Sequence, residues 1–289
     1  MDSVHTHYKE VFVEDFHVSH TVNSNGKEGK FHIHRVFEVL FVRTPNAVCE
    51  VAGKALKIQK NSLLLFNDTD LHRVFCPIGN VYDRYVLFFQ PEYIETLSSE
   101  QTDLLRCFLQ RPFPVANYMP LNEQEATEIE FYMNRILQIS ETQKTAFGND
   151  LLRKFAAGEL LIHLNRLYFQ KHSALEMLGS LNYRQAHRVA EYINAHLSEN
   201  LSLFSLSNYI FVSPNYLCRL FKSTIGTSPM QYVTYCRILK AKEYLSQGYT
   251  VDETCFLVGF NNLSHFSNVF KRIAGISPKK YAILQRNQE

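Results

Sequence analysis

The sequence has no apolar run approaching the roughly 18 to 20 residues that a membrane-spanning helix requires. Residues 1–9 are polar and lack the basic segment and apolar stretch that mark a secretory leader. The six cysteines form no C-x-x-C pair, which disfavours a zinc ribbon or a redox motif. We therefore expect a cytoplasmic protein with reduced thiols and no membrane partner.

The sequence also lacks a P-loop, a dinucleotide-binding glycine motif and the nucleophile turn of Ser/His/Asp hydrolases. These absences argue against the commonest nucleotide-dependent and acyl-transfer enzymes, and we expect no enzyme. The length of 289 residues exceeds that of a typical single core, so two domains are expected.

Charge is unevenly distributed along the chain. Residues 184–289 carry 12 Lys and Arg against 6 Asp and Glu, whereas the preceding residues carry 18 against 22. A basic C-terminal part beside an acidic N-terminal part is typical of a module that binds a polyanion, joined to a sensor domain.

Short apolar runs, rich in β-branched and aromatic residues, alternate with turn residues between positions 31 and 89. This pattern predicts a small antiparallel barrel or sandwich. The runs cover residues 36–42, 48–51, 55–58, 63–66, 73–76 and 85–89.

Helical periodicity follows at residues 121–140 and 149–170, with Asn122 and Glu125 forming a helix start. These two helices either pair with a second copy of the chain or cover one face of the β domain, and the sequence leaves both interpretations open. The short polar segment 172–183, which contains Gly179 and Ser180, is the expected linker.

The C-terminal part contains an internal repeat. The pattern F-K-x-x-x-G-x-S-P-x-x-Y occurs at residues 221–232 and again at 270–281, so every matching position is offset by 49 residues. Such a match predicts two copies of one supersecondary unit.

Each copy has a physical logic. An apolar helix ends at Phe-Lys, a glycine that can adopt a left-handed conformation follows, and Ser-Pro starts the next helix. A shorter helix and a tight turn precede each copy, at residues 203–209 and 251–257. This is the helix-turn-helix arrangement, whose second helix enters the major groove of DNA. The helix expected between the copies, residues 229–246, would be about 27 Å long, close to the roughly 34 Å repeat of DNA.

This tandem arrangement, with Arg237 and Ala241 in the connecting helix and Val258-Gly259-Phe260 before the second recognition helix, resembles the AraC/XylS family of bacterial regulators. The resemblance covers about residues 184–285. It implies a transcription regulator, most often an activator, whose two units bind adjacent major grooves of double-stranded DNA. The expected partners are DNA, a small-molecule effector, a second copy of the chain and the transcription machinery.

The resemblance also implies which residues contact DNA. Arg219 can make a bidentate contact with guanine, and Asn215 or Asn268 with adenine, each worth about 1 to 3 kcal/mol of discrimination. Lysines and arginines at the ends of the recognition helices are better placed for phosphates. The alternative for these cations is a solvated helix face. The predicted base-reading residues are Asn215, Cys218, Arg219, Ser264, His265 and Asn268, and the predicted phosphate contacts are Lys222, Lys271 and Arg272.

The chain departs from the family pattern at three positions of the two helix-turn-helix units. Ser207 and Cys255 stand where alanine is usual, and both are small enough to keep the helices packed. Asn268 stands where arginine is frequent, which affects groove contact by the second unit.

A second constellation lies in the β domain. His32, His34 and Glu38 share parity, so on an extended strand their side chains point to one face, and His72 follows a later turn. The pattern resembles the metal-binding motifs of the cupin fold, which also forms the effector domain of many AraC-type regulators.

Three interpretations of these four residues remain open. They hold Fe, Mn or Zn, or they hydrogen-bond a small polar effector such as a sugar with help from Arg73, or they are satisfied polar residues at a barrel rim. The part of the cupin pattern that contains His72 departs from the usual residues at Asn67 and Thr69. This departure favours the effector over a metal. No cofactor is then required. A divalent metal, and with it a metal-dependent cupin enzyme carrying an accessory domain, is the rival interpretation.

We therefore predict an α+β protein of two domains. Residues 1–171 form a cupin-like β-barrel with a helical dimerisation segment, residues 172–183 a linker, and residues 184–289 an all-α domain with two helix-turn-helix units.

Overall fold

A computed structural model describes residues 16–34, 36–51, 54–109, 117–141, 146–172 and 179–286. In these ranges the strands lie in the N-terminal part and the C-terminal part is helical. The strands are β1 (Phe16–Asn23), β2 (Phe37–Val42), β3 (Val48–Val51), β4 (Lys54–Lys57), β5 (Ser62–Phe66), β6 (His72–Phe75), β7 (Tyr82–Phe89) and β8 (Tyr118–Pro120). The helices are α1 (Pro91–Glu95), α2 (Arg106–Leu109), α3 (Glu123–Glu141), α4 (Asn149–His172), α5 (Gly179–Ala195), α6 (Leu203–Tyr209), α7 (Pro214–Thr224), α8 (Pro229–Ser246), α9 (Val251–Leu257), α10 (Leu263–Ala274) and α11 (Pro278–Arg286).

The strands form two antiparallel sheets. The larger sheet has the order β1-β7-β2-β5-β8, and the smaller has the order β4-β3-β6. Within the described residues no strand pairing joins the two sheets into a closed barrel, which corrects the predicted barrel. An isolated bridge between His32 and His72 lies between the sheets at one end.

The large sheet is buried on both faces, which explains why β2 is almost continuously apolar. Every residue of β2 is buried. Side chains of one parity, including Leu40, face the small sheet, and those of the other parity, including Val39 and Phe41, face the helices α3 and α4. Glu38 interrupts the apolar run and points into the space between the sheets.

Helix α3 begins where the sequence predicts. Asn122 and Glu125 exchange hydrogen bonds between side chain and backbone at 2.8 and 2.9 Å, which is a reciprocal cap. The buried faces of α3 and α4 pack on the large sheet through residues such as Ile129 and Leu160. Covering the sheet is therefore one role of these helices. Among the residues the structure describes, no helix combines the length and apolar character needed to span a membrane.

The segment predicted as a linker is only partly a connection. His172 ends α4, and Gly179 already begins α5, so residues 179–183 belong to a helix. Residues 173–178 lie outside the described residues. The four-turn helix α5 was absent from the sequence prediction, as were the strands β1 and β8.

The C-terminal part contains two helix pairs, which we call the first pair (α6 and α7) and the second pair (α9 and α10). The predicted bounds of α6, α8 and α9 are confirmed. Gly226 and Gly275 both have positive φ, of 86° and 81°, after α7 and α10, and Ser228 caps α8 with Pro229 at its first turn.

Helix α8 connects two separate apolar cores. Its N-terminal half contributes Tyr232 and Val233 to a core with α5 and the first pair. Its C-terminal half contributes Ile238, Ala241 and Leu245 to a core with the second pair and α11. One continuous helix thus holds both pairs.

Candidate functional site

Helix α7 presents a polar face opposite a buried one. It starts at the N-cap Ser213, whose hydroxyl accepts a hydrogen bond from the Tyr216 amide, and Pro214 occupies the first turn. The predicted contact residues Asn215, Arg219 and Lys222 are exposed, at the i, i+4 and i+7 spacing of one face, and Cys218 is half-buried beside them. The opposite face buries Leu217, Leu220 and Phe221.

Helix α10 repeats this design. The Asn262 side chain caps it by accepting a hydrogen bond from the His265 amide at 2.8 Å. Its buried face consists of Phe266, Val269 and Phe270. Its exposed face carries all the residues predicted to contact DNA from this helix, namely Ser264, His265, Asn268, Lys271 and Arg272.

The turns between the helices of each pair are alike. In both turns a residue with positive φ precedes a residue whose amide bonds back into the first helix: Val212 to Ser207 and Phe260 to Cys255, each at 3.0 Å. The left-handed residue is Phe211 in the first turn (φ 56°) and Gly259 in the second (φ 85°). Phe211 is 95% exposed, so the first turn projects an aromatic ring into solvent.

Arg237 of α8 binds the residues that follow α5 and lies beside the second turn. Its guanidinium donates hydrogen bonds to the carbonyls of Leu197 (3.0 Å) and Glu199 (2.7 Å). A Cβ atom at Gly259 would lie 2.4 Å from the Leu197 carbonyl oxygen and 2.8 Å from Arg237 Nη2. Glycine is thus required here both by its backbone conformation and by the close approach.

The four residues predicted to share a site in the β domain do so. One potential ligand atom from each of His32, His34, Glu38 and His72 lies within 4.8 Å of the other three. A single carboxylate oxygen, Glu38 Oε2, contacts Nε2 of His34 at 3.0 Å and Nε2 of His72 at 3.2 Å. We call this set the His/Glu cluster.

The three imidazoles of the His/Glu cluster are oriented in the same way. Each Nδ1 contacts a backbone carbonyl: His32 that of Lys30 at 2.9 Å, His34 that of Val36 at 2.6 Å, and His72 that of Asp70 at 2.9 Å. Because a carbonyl only accepts, each Nδ1 carries a hydrogen. In His34 and His72 the other ring nitrogen, Nε2, faces Glu38: it donates to the carboxylate when it is protonated and can bind a metal when it is not. This backbone support is typical of metal-binding histidines.

Electrostatics at the His/Glu cluster favour a charged carboxylate. Burial raises the pKa of Glu38, but hydrogen bonds from His34 and His72 outweigh it and bring the pKa well below its ordinary range. Lys27 lies near enough to be affected: burial and the charge of Arg84 lower its pKa to about 8, against the opposing effect of Glu38. Charged groups therefore occupy one part of the space between the sheets, beside the apolar side chains that fill the rest.

Arg73 does not join the His/Glu cluster, contrary to the sequence prediction. It follows His72 on β6, so its side chain points to the other side of the strand. There it pairs with Glu50 and lies over the rings of Phe31 and Phe75.

Residues that sequence reasoning missed surround the cluster. Asn67 is fully buried and its amide nitrogen donates hydrogen bonds to the Tyr183 hydroxyl (2.7 Å) and the Phe108 carbonyl (3.1 Å). Ile33, between two cluster histidines, packs into the core of the C-terminal part. The only signal in the sequence was the departure of Asn67 from the cupin pattern.

Comparison with known proteins agrees with these features. Residues 206–282 match a family model described as a helix-turn-helix domain. The HTH-type transcriptional activator RhaS of Escherichia fergusonii is 24% identical over 91% of each chain. The HTH-type transcriptional regulator YisR of Bacillus subtilis is 33% identical, but the match spans 43% of this chain and only 41% of YisR. The structure of ToxT from Vibrio cholerae with a bound unsaturated fatty acid aligns with a TM-score of 0.56 at 14% identity, covering 92% of this chain and 94% of ToxT, a likeness of fold.

The helix pairs, their exposed polar faces and the matched family model define a helix-turn-helix domain in the C-terminal part. The chain is similar to transcription regulators over this domain and, in RhaS, over most of its length. These relatives are named as regulators, which agrees with the resemblance to the AraC/XylS family and not with the metal-dependent cupin enzyme that the sequence left as a rival.

Proposed function

We propose that this protein binds a specific double-stranded DNA site through two helix-turn-helix units, the first and second pairs, and regulates transcription in response to a small molecule bound by residues 1–171. The observation that carries the DNA-binding proposal is the duplicate design of α7 and α10. Each has a capped N-terminus, one buried apolar face and one exposed face bearing the predicted base and phosphate contacts. The proposed domains are those of the sequence prediction: residues 1–171 for sensing and dimerisation, residues 172–183 as the connection and residues 184–289 for DNA binding. The first residues of α5 lie within the connection.

The experiment is a band-shift titration of the full chain with its own upstream DNA, over a range of salt concentrations. Arg219→Ala is compared with Lys222→Ala on the same helix. We expect Arg219→Ala to lose discrimination at one base pair, and Lys222→Ala to weaken binding to all sequences and to reduce the salt dependence. Binding that ignores sequence in the unmodified protein would contradict the proposal.

The effector site is assigned to the His/Glu cluster. Its imidazoles and carboxylate, in the charged part of the space between the sheets, suit a small polar molecule such as a sugar, because each buried polar group of such a ligand needs a partner. Isothermal titration with a panel of sugars tests this. Heat that is lost in Glu38→Gln but kept in Glu50→Gln supports the assignment, and the reverse pattern contradicts it.

A divalent metal is the second candidate, and a specific observation favours it. All three histidines are held at Nδ1 by backbone carbonyls, and the four donor atoms are within 4.8 Å of one another. Two donors on one Zn²⁺ ion are at most about 4.2 Å apart, so a small approach would place all four on one ion. The metal would act as the signal itself or as the anchor for a polar effector.

Elemental analysis and calorimetry with Zn²⁺, Mn²⁺ and Fe²⁺ test this candidate. We expect one ion per chain, its loss in His34→Ala, and its retention in His163→Ala, a control histidine on α4 that bonds Tyr132 instead. An unmodified chain that takes up no ion would remove the metal and leave the polar effector.

We also propose that α4 forms a homodimer contact. Its outer side exposes an apolar row of Leu151, Leu152, Phe155 and Ile162 although its inner side is already buried in the core. Sedimentation velocity should show that Phe155→Glu dissociates the dimer. Phe147→Glu, a fully exposed phenylalanine before α4, should leave it intact. A monomer in both unmodified and variant proteins would contradict this contact.

Activation is the proposed mode of regulation, supported by the name of RhaS as an activator. An activator contacts the transcription machinery, which is therefore a proposed partner. The proposed location is the cytoplasm, where bacterial DNA lies. A reporter gene under the chain's own upstream region tests the sign: expression should fall when the regulator is deleted.

A further inference from the structure

Residues 32–34, which carry two histidines of the His/Glu cluster, contact both halves of the molecule. His32 and His34 belong to the His/Glu cluster, whereas Ile33 between them is 6% exposed and packs with residues of α5 and the first pair. Neighbouring side chains of an extended segment point in opposite directions. A displacement of the two histidines therefore moves Ile33 within the core of the DNA-binding part.

The loop between β5 and β6 makes a second connection. The hydroxyl of Tyr183 on α5 accepts a hydrogen bond from the side-chain amide of Asn67 (2.7 Å), and the backbone amide of Asn67 donates to Asp70 Oδ2 (2.8 Å). The carbonyl of Asp70 accepts from Nδ1 of His72 (2.9 Å), and Nε2 of His72 contacts Glu38. Three hydrogen bonds, linked through the covalent structure of Asn67 and Asp70, thus join His72 of the cluster to Tyr183 of α5.

The two connections are tied to each other and to one helix. His32 and His72 exchange backbone hydrogen bonds at 2.9 and 3.0 Å, so the segment and the loop cannot shift independently. On α5, His187 follows Tyr183 by one turn and lies 4.0 Å from Asp68 of the same loop. The opposite face of α5, including Val189 and Ile193, is buried against the first pair. Helix α5 therefore lies between the cluster loop and a DNA-binding unit.

We infer that occupancy of the His/Glu cluster is transmitted to the first helix pair through Ile33 and through the Asn67–Tyr183 hydrogen bond, with α5 as the element that moves. This inference rests on the proposed sensing role of the cluster and names its output. A bound ion would engage Nε2 of His34 and His72, which otherwise contact Glu38. It would thereby change the positions of His72 and of its backbone partner His32, and hence of the loop and Ile33. A ligand that binds one arrangement of α5 better shifts the population toward it.

The test measures two affinities of the full chain: that for Zn²⁺ by calorimetry, and that for operator DNA with Zn²⁺ or with chelator. Coupling of this kind usually changes affinity by about 5- to 150-fold. In Tyr183→Phe we expect unchanged Zn²⁺ affinity and a Zn²⁺-linked change in operator affinity that collapses toward onefold. Tyr192→Phe, the same substitution on the same helix, should keep the full change. Ile33→Ala should behave as Tyr183→Phe does.

An unchanged Zn²⁺ effect in both Tyr183→Phe and Ile33→Ala would overturn the inference. Failure of the metal candidate or of DNA binding looks different, because then the unmodified chain binds no Zn²⁺ or no operator. In that case a double-mutant cycle on the unfolding equilibrium decides the inference without metal or DNA. Glu38→Gln and Tyr183→Phe should be non-additive, whereas Glu38→Gln and Tyr192→Phe should add. Additivity in both cycles would overturn it.

Discussion

Replacing Gly259 with alanine tests how the second helix pair is held. Gly259 has φ 85°, and the nearest atom to its missing Cβ is the backbone carbonyl of Leu197, at 2.4 Å. That carbonyl also accepts a hydrogen bond from the Arg237 guanidinium. An alanine must therefore adopt an unfavourable conformation and push away a backbone atom that already has a charged partner.

The expected cost has two parts. A left-handed conformation costs a non-glycine residue about 1 to 2 kcal/mol. Weakening a hydrogen bond to a charged group costs about 1.5 to 3 kcal/mol more. The free energy of unfolding should therefore fall by about 2.5 to 5 kcal/mol in Gly259→Ala.

Gly248→Ala is the matched control. Gly248 has φ 93° and no atom within 4 Å of its Cβ position, so only the conformational part applies, about 1 to 2 kcal/mol. Chemical denaturation of both variants measures the difference, and footprinting should show that Gly259→Ala loses protection over one half of the site first. Equal losses of stability in the two variants would refute the claim that the close approach to Leu197 matters.

Four further outcomes are expected. Arg219→Ala should weaken operator binding by about 1 to 3 kcal/mol through the loss of one guanine contact, whereas Lys222→Ala should weaken binding to operator and competitor DNA alike. If Arg219→Ala also weakened binding to the two DNAs equally, Arg219 would not read a base. Cys218 should be alkylated fastest among the six thiols, because the other five are buried, and operator DNA should protect it; modification unaffected by DNA would remove α7 from the groove. Phe211→Gly should raise the free energy of unfolding by about 1 kcal/mol, since it relieves a left-handed phenylalanine with little burial to lose, and a loss of stability would show that the exposed ring is held by the fold. Ser228→Ala should lower it by about 1 kcal/mol because it removes the cap of α8, and an unchanged denaturation midpoint would contradict that role.

The repeat made the C-terminal part predictable. Its turn glycines, caps and helix bounds follow from local rules that act twice on the same pattern, and the structure reproduces them at Gly226, Ser228 and Gly275. The sequence prediction lacks helix α5 although Tyr183, Ala186 and Ile193 keep helical spacing, because Gly179 and Ser180, with which the helix begins, are also typical of a loop. The sequence prediction lacks strand β1 because only Phe16 and Val18 are buried and the remaining positions, mostly polar, are half-buried or exposed.

The cluster was predictable only in part. Parity along one segment and a later histidine were enough to bring four side chains together, since sheet geometry converts spacing into proximity. The partner of Asn67 was beyond such reasoning, because Tyr183 is 116 residues away along the chain and no local rule relates a loop to a distant helix. For Arg73, in contrast, a local rule is sufficient. Because side chains alternate along β6, Arg73 points to the other side of the strand from His72.

Helix α5 and the residues after it contact both DNA-binding units, and this limits what an effector can change. Tyr183 near its start binds the cluster loop, and the carbonyls of Leu197 and Glu199 beyond its end bind Arg237 beside the second pair. Because α8 is shared by both cores, a displacement of α5 carries the two units together and leaves their spacing on one subunit unchanged. In the proposed dimer, the proposed effector should therefore alter how the two helix pairs of one subunit are presented relative to those of its partner. Operator fragments containing a single half-site should then respond less to the effector than fragments containing two, and an equal response would place the change within one subunit.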